Sequence, residues 1–129
     1  MKTIFSLLLI LMLGIVVFAV PHAGASGYRQ ITMQEAIDMM DSESDYIILD
    51  VRTPAEYEGG HIPNAVNVPN ETIGQSEIDE LPDKGQLILV YWRSGNCSKQ
   101  ASSKLAALGY TNIVEFGGIN AWPGEIITE

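Results

Sequence analysis

Cys97 is the only cysteine in the chain, and it sits in the run Val90-Tyr91-Trp92-Arg93-Ser94-Gly95-Asn96-Cys97-Ser98-Lys99-Gln100. An apolar stretch runs there into a short loop with one glycine, and then into a helix. A loop of that kind turns its amides inward at the positive end of the helix and makes a cradle for an anion. Arg93 adds charge at the rim. The same pattern also describes a tight strand-to-helix turn that binds nothing. Cys97 itself has two readings. At the first turn of the helix, the dipole and open amides favour a thiolate nucleophile, with Arg93 four residues back to help. Against this, Cys97, Ala101, Leu105 and Leu108 share one helical stripe, and a thiol buried among apolar neighbours is inert. Trp92 closes the strand, either as packing or as a wall that closes the cradle or stacks on a ligand or partner.

Other chemically equipped residues read as structural. Asp50 and Arg52 satisfy one another and the strand end without a ligand. His61, in Gly60-His61-Ile62-Pro63, has no acidic orienter or nucleophile beside it in sequence, so a hydrogen-bonded turn is expected rather than a base. Trp122, before Pro123-Gly124, is expected to plug the core. The acidic run Glu77, Asp79, Glu80, Asp83 reads as a solvated face. Asn70-Glu71-Thr72 and Asn96-Cys97-Ser98 match the glycosylation sequon. One cysteine and two histidines, His22 and His61, give no basis for an intrachain disulfide or a metal site. No cofactor is expected.

The elements that must hold these residues follow from pattern. Tyr46-Ile47-Ile48-Leu49, Gln86 to Tyr91 and Asn112 to Phe116 are apolar, β-branched runs typical of strands buried on both faces. Ala65 to Val68 is a shorter one. Thr32 opens a helix with Glu35 at capping-box spacing, and Met33, Ala36, Ile37 and Met40 fall on one face. Thr53-Pro54 starts a second helix that Gly59-Gly60 ends. Ser76 to Leu81 is at best a short acidic helix. Ser98 to Leu108 is a helix stopped by Gly109. Residues 26–30 form a polar opening segment. Strands alternating with helices predict an α/β domain with a mostly parallel sheet, helices on both faces and any site at the carboxyl ends of the strands.

Residues 1–25 read as a secretory signal peptide. Lys2 precedes an apolar run from Leu7 to Val20, and Ala23-Gly24-Ala25 supplies the small residues of a cleavage site before Ser26. The alternative is an uncleaved anchor, since the apolar stretch from Thr3 is near the lower limit for a membrane span. Either way the single domain of residues 26–129 is expected outside the cytoplasm, periplasmic or extracellular. Seven basic residues against sixteen acidic ones give a net charge of −9. That charge argues against nucleic acid as a partner and against docking on anionic lipid.

Two segments carry a family resemblance. Leu49-Asp50-Val51-Arg52-Thr53-Pro54-Ala55-Glu56-Tyr57-Glu58-Gly59-Gly60-His61-Ile62-Pro63-Asn64-Ala65-Val66-Asn67-Val68-Pro69 closely resembles the first box of rhodanese-like domains. Phe116-Gly117-Gly118-Ile119-Asn120-Ala121-Trp122 resembles their C-terminal box. The resemblance implies a five-stranded parallel sheet wrapped by helices, with residues 92–97 as the active-site loop. It also implies sulfur transfer through a cysteine persulfide, from thiosulfate or another donor to a thiol or cyanide. The family loop begins with the nucleophilic cysteine and often ends with arginine; here those places hold Trp92 and Cys97. The resemblance therefore carries the amide positions 93–97 but no nucleophile at position 92. Two functions follow as expectations: an exported protein handling sulfane sulfur, with Cys97 as substitute nucleophile, or an inactive fold that binds a small sulfur anion, a thiol or a protein partner. An arsenate- or phosphate-directed enzyme ranks behind both, because Cys97 comes one turn late for the loop.

Overall fold

The structure, a computed structural model, describes residues 27–128. The expected leader, residues 1–25, lies outside the described residues. Five strands and three helices follow in the order β1 (Arg29–Gln30), α1 (Met33–Ser42), β2 (Tyr46–Asp50), α2 (Pro54–Glu58), β3 (Val66–Asn67), β4 (Leu87–Trp92), α3 (Asn96–Ala107) and β5 (Ile113–Gly118). Short 3-10 turns cover Asn70–Thr72 and Ile119–Ala121. The sheet order is β1-β5-β4-β2-β3, and every pairing is parallel.

The central strands are largely apolar because both faces are covered, with Asp50 of β2 and Glu115 of β5 as the buried charges. Ile88 and Val90 of β4 join Leu49, Ile113, Ala101 and Leu105 in one core layer, beneath α3. Leu89 and Tyr91 join Ile48, Val114, Phe116 and Ala36 in the other, beneath α1. A wholly buried side chain such as Leu105 contributes about 2 kcal/mol by leaving water. Both expected helix starts are capped. Thr32 accepts from the Glu35 amide, and Thr53 accepts from the Glu56 amide, with Pro54 at the first helical position.

Four expectations are corrected. The opening segment holds β1, a two-residue strand on β5. Ser76 to Leu81 forms no helix; Ile78 and Leu81 are buried as anchors of an irregular strap, and Pro82 follows at once. Helix α3 starts at Asn96, two residues before the expected Ser98, because Gly95 adopts a left-handed conformation and turns the chain into the helix there. β5 extends through both glycines of Gly117-Gly118.

Candidate functional site

The loop stands at the carboxyl end of β4. Gly95, at φ 99°, occupies the cap position of α3 but has no side chain to fill it. The amides of Asn96, Cys97 and Ser98, in the first turn, are therefore left without a capping group. This is the backbone arrangement expected of an anion cradle. The loop is supported from below by β5. The register slips between Val90 and Trp92, so that Val90 lies opposite Glu115 but Trp92 lies opposite Gly118. The extra residue is a bulge in β5, and Gly117 there has φ 100°. Gly118 touches the loop so closely that a Cβ would lie 2.1 Å from the Arg93 carbonyl oxygen and 2.8 Å from the Ser94 nitrogen. The two glycines thus act as a platform, one by its dihedral angle and one by its lack of a side chain.

Asp50, fully buried at the end of β2, gathers Arg52 and Tyr91. Arg52 Nη2 is 2.6 Å from Asp50 Oδ2 and donates also to the Gly60 carbonyl at 2.6 Å. Tyr91 donates its hydroxyl proton to Asp50 Oδ2 at 2.6 Å and accepts from the Ile62 amide at 3.2 Å. Burial, reinforced by Asp50, pushes the Tyr91 hydroxyl far above its ordinary value. Burial works against the Arg52 charge, but Asp50 outweighs it and holds the guanidinium above its usual value. Asn67 Nδ2 donates to the carbonyls of Asp50 and Arg52. This cluster fastens the segment from Gly60 to Asn67 to the sheet.

His61 is buried on that segment. Its Nδ1 is 2.7 Å from the Tyr57 carbonyl, and its ring stacks on Tyr57 at 3.7 Å between centroids. Its main chain exchanges two hydrogen bonds with Ile127. Trp122 is half-buried against the α1-side core, with its indole N–H donated to the Glu125 carbonyl. It covers the core rather than plugging it.

Cys97 is half-buried at the second residue of α3. Burial first, and then the charge of Glu71, push its thiol above the ordinary value, and Lys104 offsets this only in part. That direction runs opposite to the thiolate expected at a helix start. Arg93, expected to help Cys97, makes its ion pair with α2 instead. Its guanidinium is committed to Glu56 of α2, at 2.7 and 3.2 Å, and that bond leads the effects holding the Glu56 carboxyl below its usual range. Trp92 is half-buried and packs on the α3-side core.

The structure thus gathers Trp92 through Cys97 with Gly117 and Gly118 at one end of the sheet. Asp50, Arg52 and His61 instead brace the neighbouring segment. Three residues of this region escaped the sequence reading. Glu56 holds Arg93. Ser98 is buried, and its Oγ lies 2.7 Å from the Gly95 carbonyl and 2.6 Å from Glu115 Oε1. Glu115 is 3 % exposed and also accepts from the Gly117 amide at 2.8 Å. The one available signal for it was a charge in the middle of the apolar run Ile113-Val114-Glu115-Phe116. Among the described residues, no group of histidine, cysteine and carboxylate side chains could hold a metal ion, and no helix is long and apolar enough to cross a membrane.

Comparison with known proteins agrees with this fold. The model of the rhodanese-like domain matches residues 32–125. The chain is 34 % identical over 71 residues to the thiosulfate sulfurtransferase PspE of Escherichia coli, covering 55 % of this chain and 68 % of that protein. It is 36 % identical over 96 residues to a sulfurtransferase of Allochromatium vinosum, covering 67 % and 88 % respectively. Among solved structures, a rhodanese with anions from E. coli superposes with a TM-score of 0.60 at 28 % identity, over 65 % of this chain and 99 % of that one.

Proposed function

Because the chain belongs to the rhodanese-like domain family, we propose that it binds small sulfur-containing anions in the loop 92–97 without transferring sulfur through a persulfide. One observation carries this reading. The loop keeps its open amides around left-handed Gly95, while Trp92 stands where the family places its nucleophilic cysteine. An indole cannot accept a sulfane sulfur. The Cys97 thiol lies five residues further on and is pushed above its ordinary value, which favours binding over transfer. The relatives' names support a sulfur-containing ligand, and the E. coli rhodanese structure with anions supports an anion as its form.

A second reading rests on the partial exposure of Cys97 in the first turn of α3. It makes Cys97 a slow nucleophile in sulfur transfer. Thiocyanate formation from thiosulfate and cyanide separates the two. Binding alone predicts no turnover, while the amide resonances of Ser94 to Ser98 shift on titration with a small sulfur anion. Turnover that disappears in Cys97→Ser establishes the second reading instead. The double change Trp92→Cys, Cys97→Arg restores the family pattern at both positions, and measurable turnover in that variant is expected.

The leader supports export of the domain. Intact-mass measurement on protein from the cell envelope should find Ser26 as the first residue, whereas a species that keeps Lys2 points to a membrane anchor.

A further inference from the structure

Two carboxylates are buried in the described part of the fold, Asp50 and Glu115. Asp50 is neutralised by Arg52. Glu115 has no cation beside it; the ion pairs among the described residues are Arg52–Asp50 and Arg93–Glu56. Its hydrogen bonds come from Ser98 Oγ and the Gly117 amide, one in the first turn of α3 and the other in the bulge under the loop. Glu115 follows Ile113 by two residues in β5, and Ile113 lies in the core layer beneath α3. Its carboxylate therefore meets the positive end of that helix from inside the fold.

An anion in the loop 92–97 would meet the same helix end from outside. Two negative charges would then share one helix terminus in a partly desolvated setting. Their repulsion grows in proportion to the charge on the ligand. A buried carboxylate held by hydrogen bonds but by no cation is otherwise an expense that a leucine at this place would avoid. We infer that Glu115 is a specificity-determining residue: it sets the loop against doubly charged anions, so that the ligand class is a singly charged sulfur species, such as a hydropersulfide or thiocyanate ion, rather than a dianion such as thiosulfate. This rests on the reading that the loop holds a small sulfur anion.

The test compares thiocyanate with thiosulfate, one charge against two, by following the Ser94 to Ser98 amides in the native protein and in Glu115→Gln. The glutamine keeps an oxygen for the Gly117 amide and for Ser98. Loss of the carboxylate should tighten thiocyanate about threefold and thiosulfate about tenfold, since the effect compounds with charge. Glu115→Leu, which matches the apolar neighbours, must move both ions in the same order. The native protein alone gives a further check: thiocyanate must bind at least as tightly as thiosulfate. Tighter native binding of thiosulfate overturns the inference, and so does an equal or absent change in the variants while both ions still bind at the loop. Those results leave the loop reading standing. If neither ion moves these amides in any of the proteins, the loop reading falls and the inference falls with it.

Discussion

Gly118→Ala and Gly117→Ala add the same methyl group one residue apart, yet the structure predicts different costs. At Gly117 a Cβ would meet nothing within 4 Å, so the penalty is the dihedral angle alone. Holding alanine at φ 100° costs about 1 kcal/mol. At Gly118, φ is −123°, which any residue adopts. There the penalty is contact. The added carbon would stand 2.1 Å from the Arg93 carbonyl oxygen and 2.6 Å from its carbon. Both are backbone atoms, so no side chain can swing aside. The loop must retreat by about 1 Å, and overpacking of that kind costs about 3 kcal/mol. Urea unfolding measures the difference, which should be about 2 kcal/mol in favour of Gly117→Ala with unchanged m-values. Amide shifts in the folded Gly118→Ala protein should concentrate at Arg93 to Ser98, and anion binding there should weaken. Equal stability of the two variants, or shifts spread evenly over the sheet, would refute the platform role given to Gly118.

Three further outcomes follow from the geometry. Tyr91→Phe should cost about 2 kcal/mol in urea unfolding, because the Ile62 amide loses its acceptor and Asp50 loses a donor in a buried setting. The Cys97 thiol should react slowly with iodoacetamide near neutral pH and faster as pH rises; Glu71→Gln removes one cause of the raised value and should speed the reaction about twofold at fixed pH. Glu56 is held low in the folded chain, so its contribution to stability is present above the ordinary carboxylate range and is lost as pH falls through the lower folded value. Arg93→Gln should raise the Glu56 titration midpoint seen by carboxyl NMR, with only a small stability change because the pair is solvent-exposed.

Much of the fold was legible because long apolar runs admit few interpretations. β2 and β4 are buried on both faces, and the capping residues Thr32 and Thr53 mark their helices directly. β1 was not legible, since two residues hold no period and the strand exists only because β5 offers a partner. The segment 76–81 misled because Ile78 and Leu81 are spaced as on a helix yet serve as two separate anchors. At the site, the cradle could be placed from the glycine between strand and helix. The charge environment could not. Glu56 is 37 positions from Arg93, and Glu71 lies in a different element from Cys97, so their effects arise only when the sheet order brings them together.

The outermost strands, β1 and β3, are each two residues long. A strand from another molecule joining either margin would find only a couple of ladder bonds before the chain turns away. Sheets with long bare margins recruit copies of themselves and grow into fibres, and short margins deny them a template. The sheet's most apolar strands, β2, β4 and β5, lie inside that frame. Together with the mutual repulsion of chains at −9, this should keep concentrated solutions of the folded protein free of sheet-to-sheet aggregation.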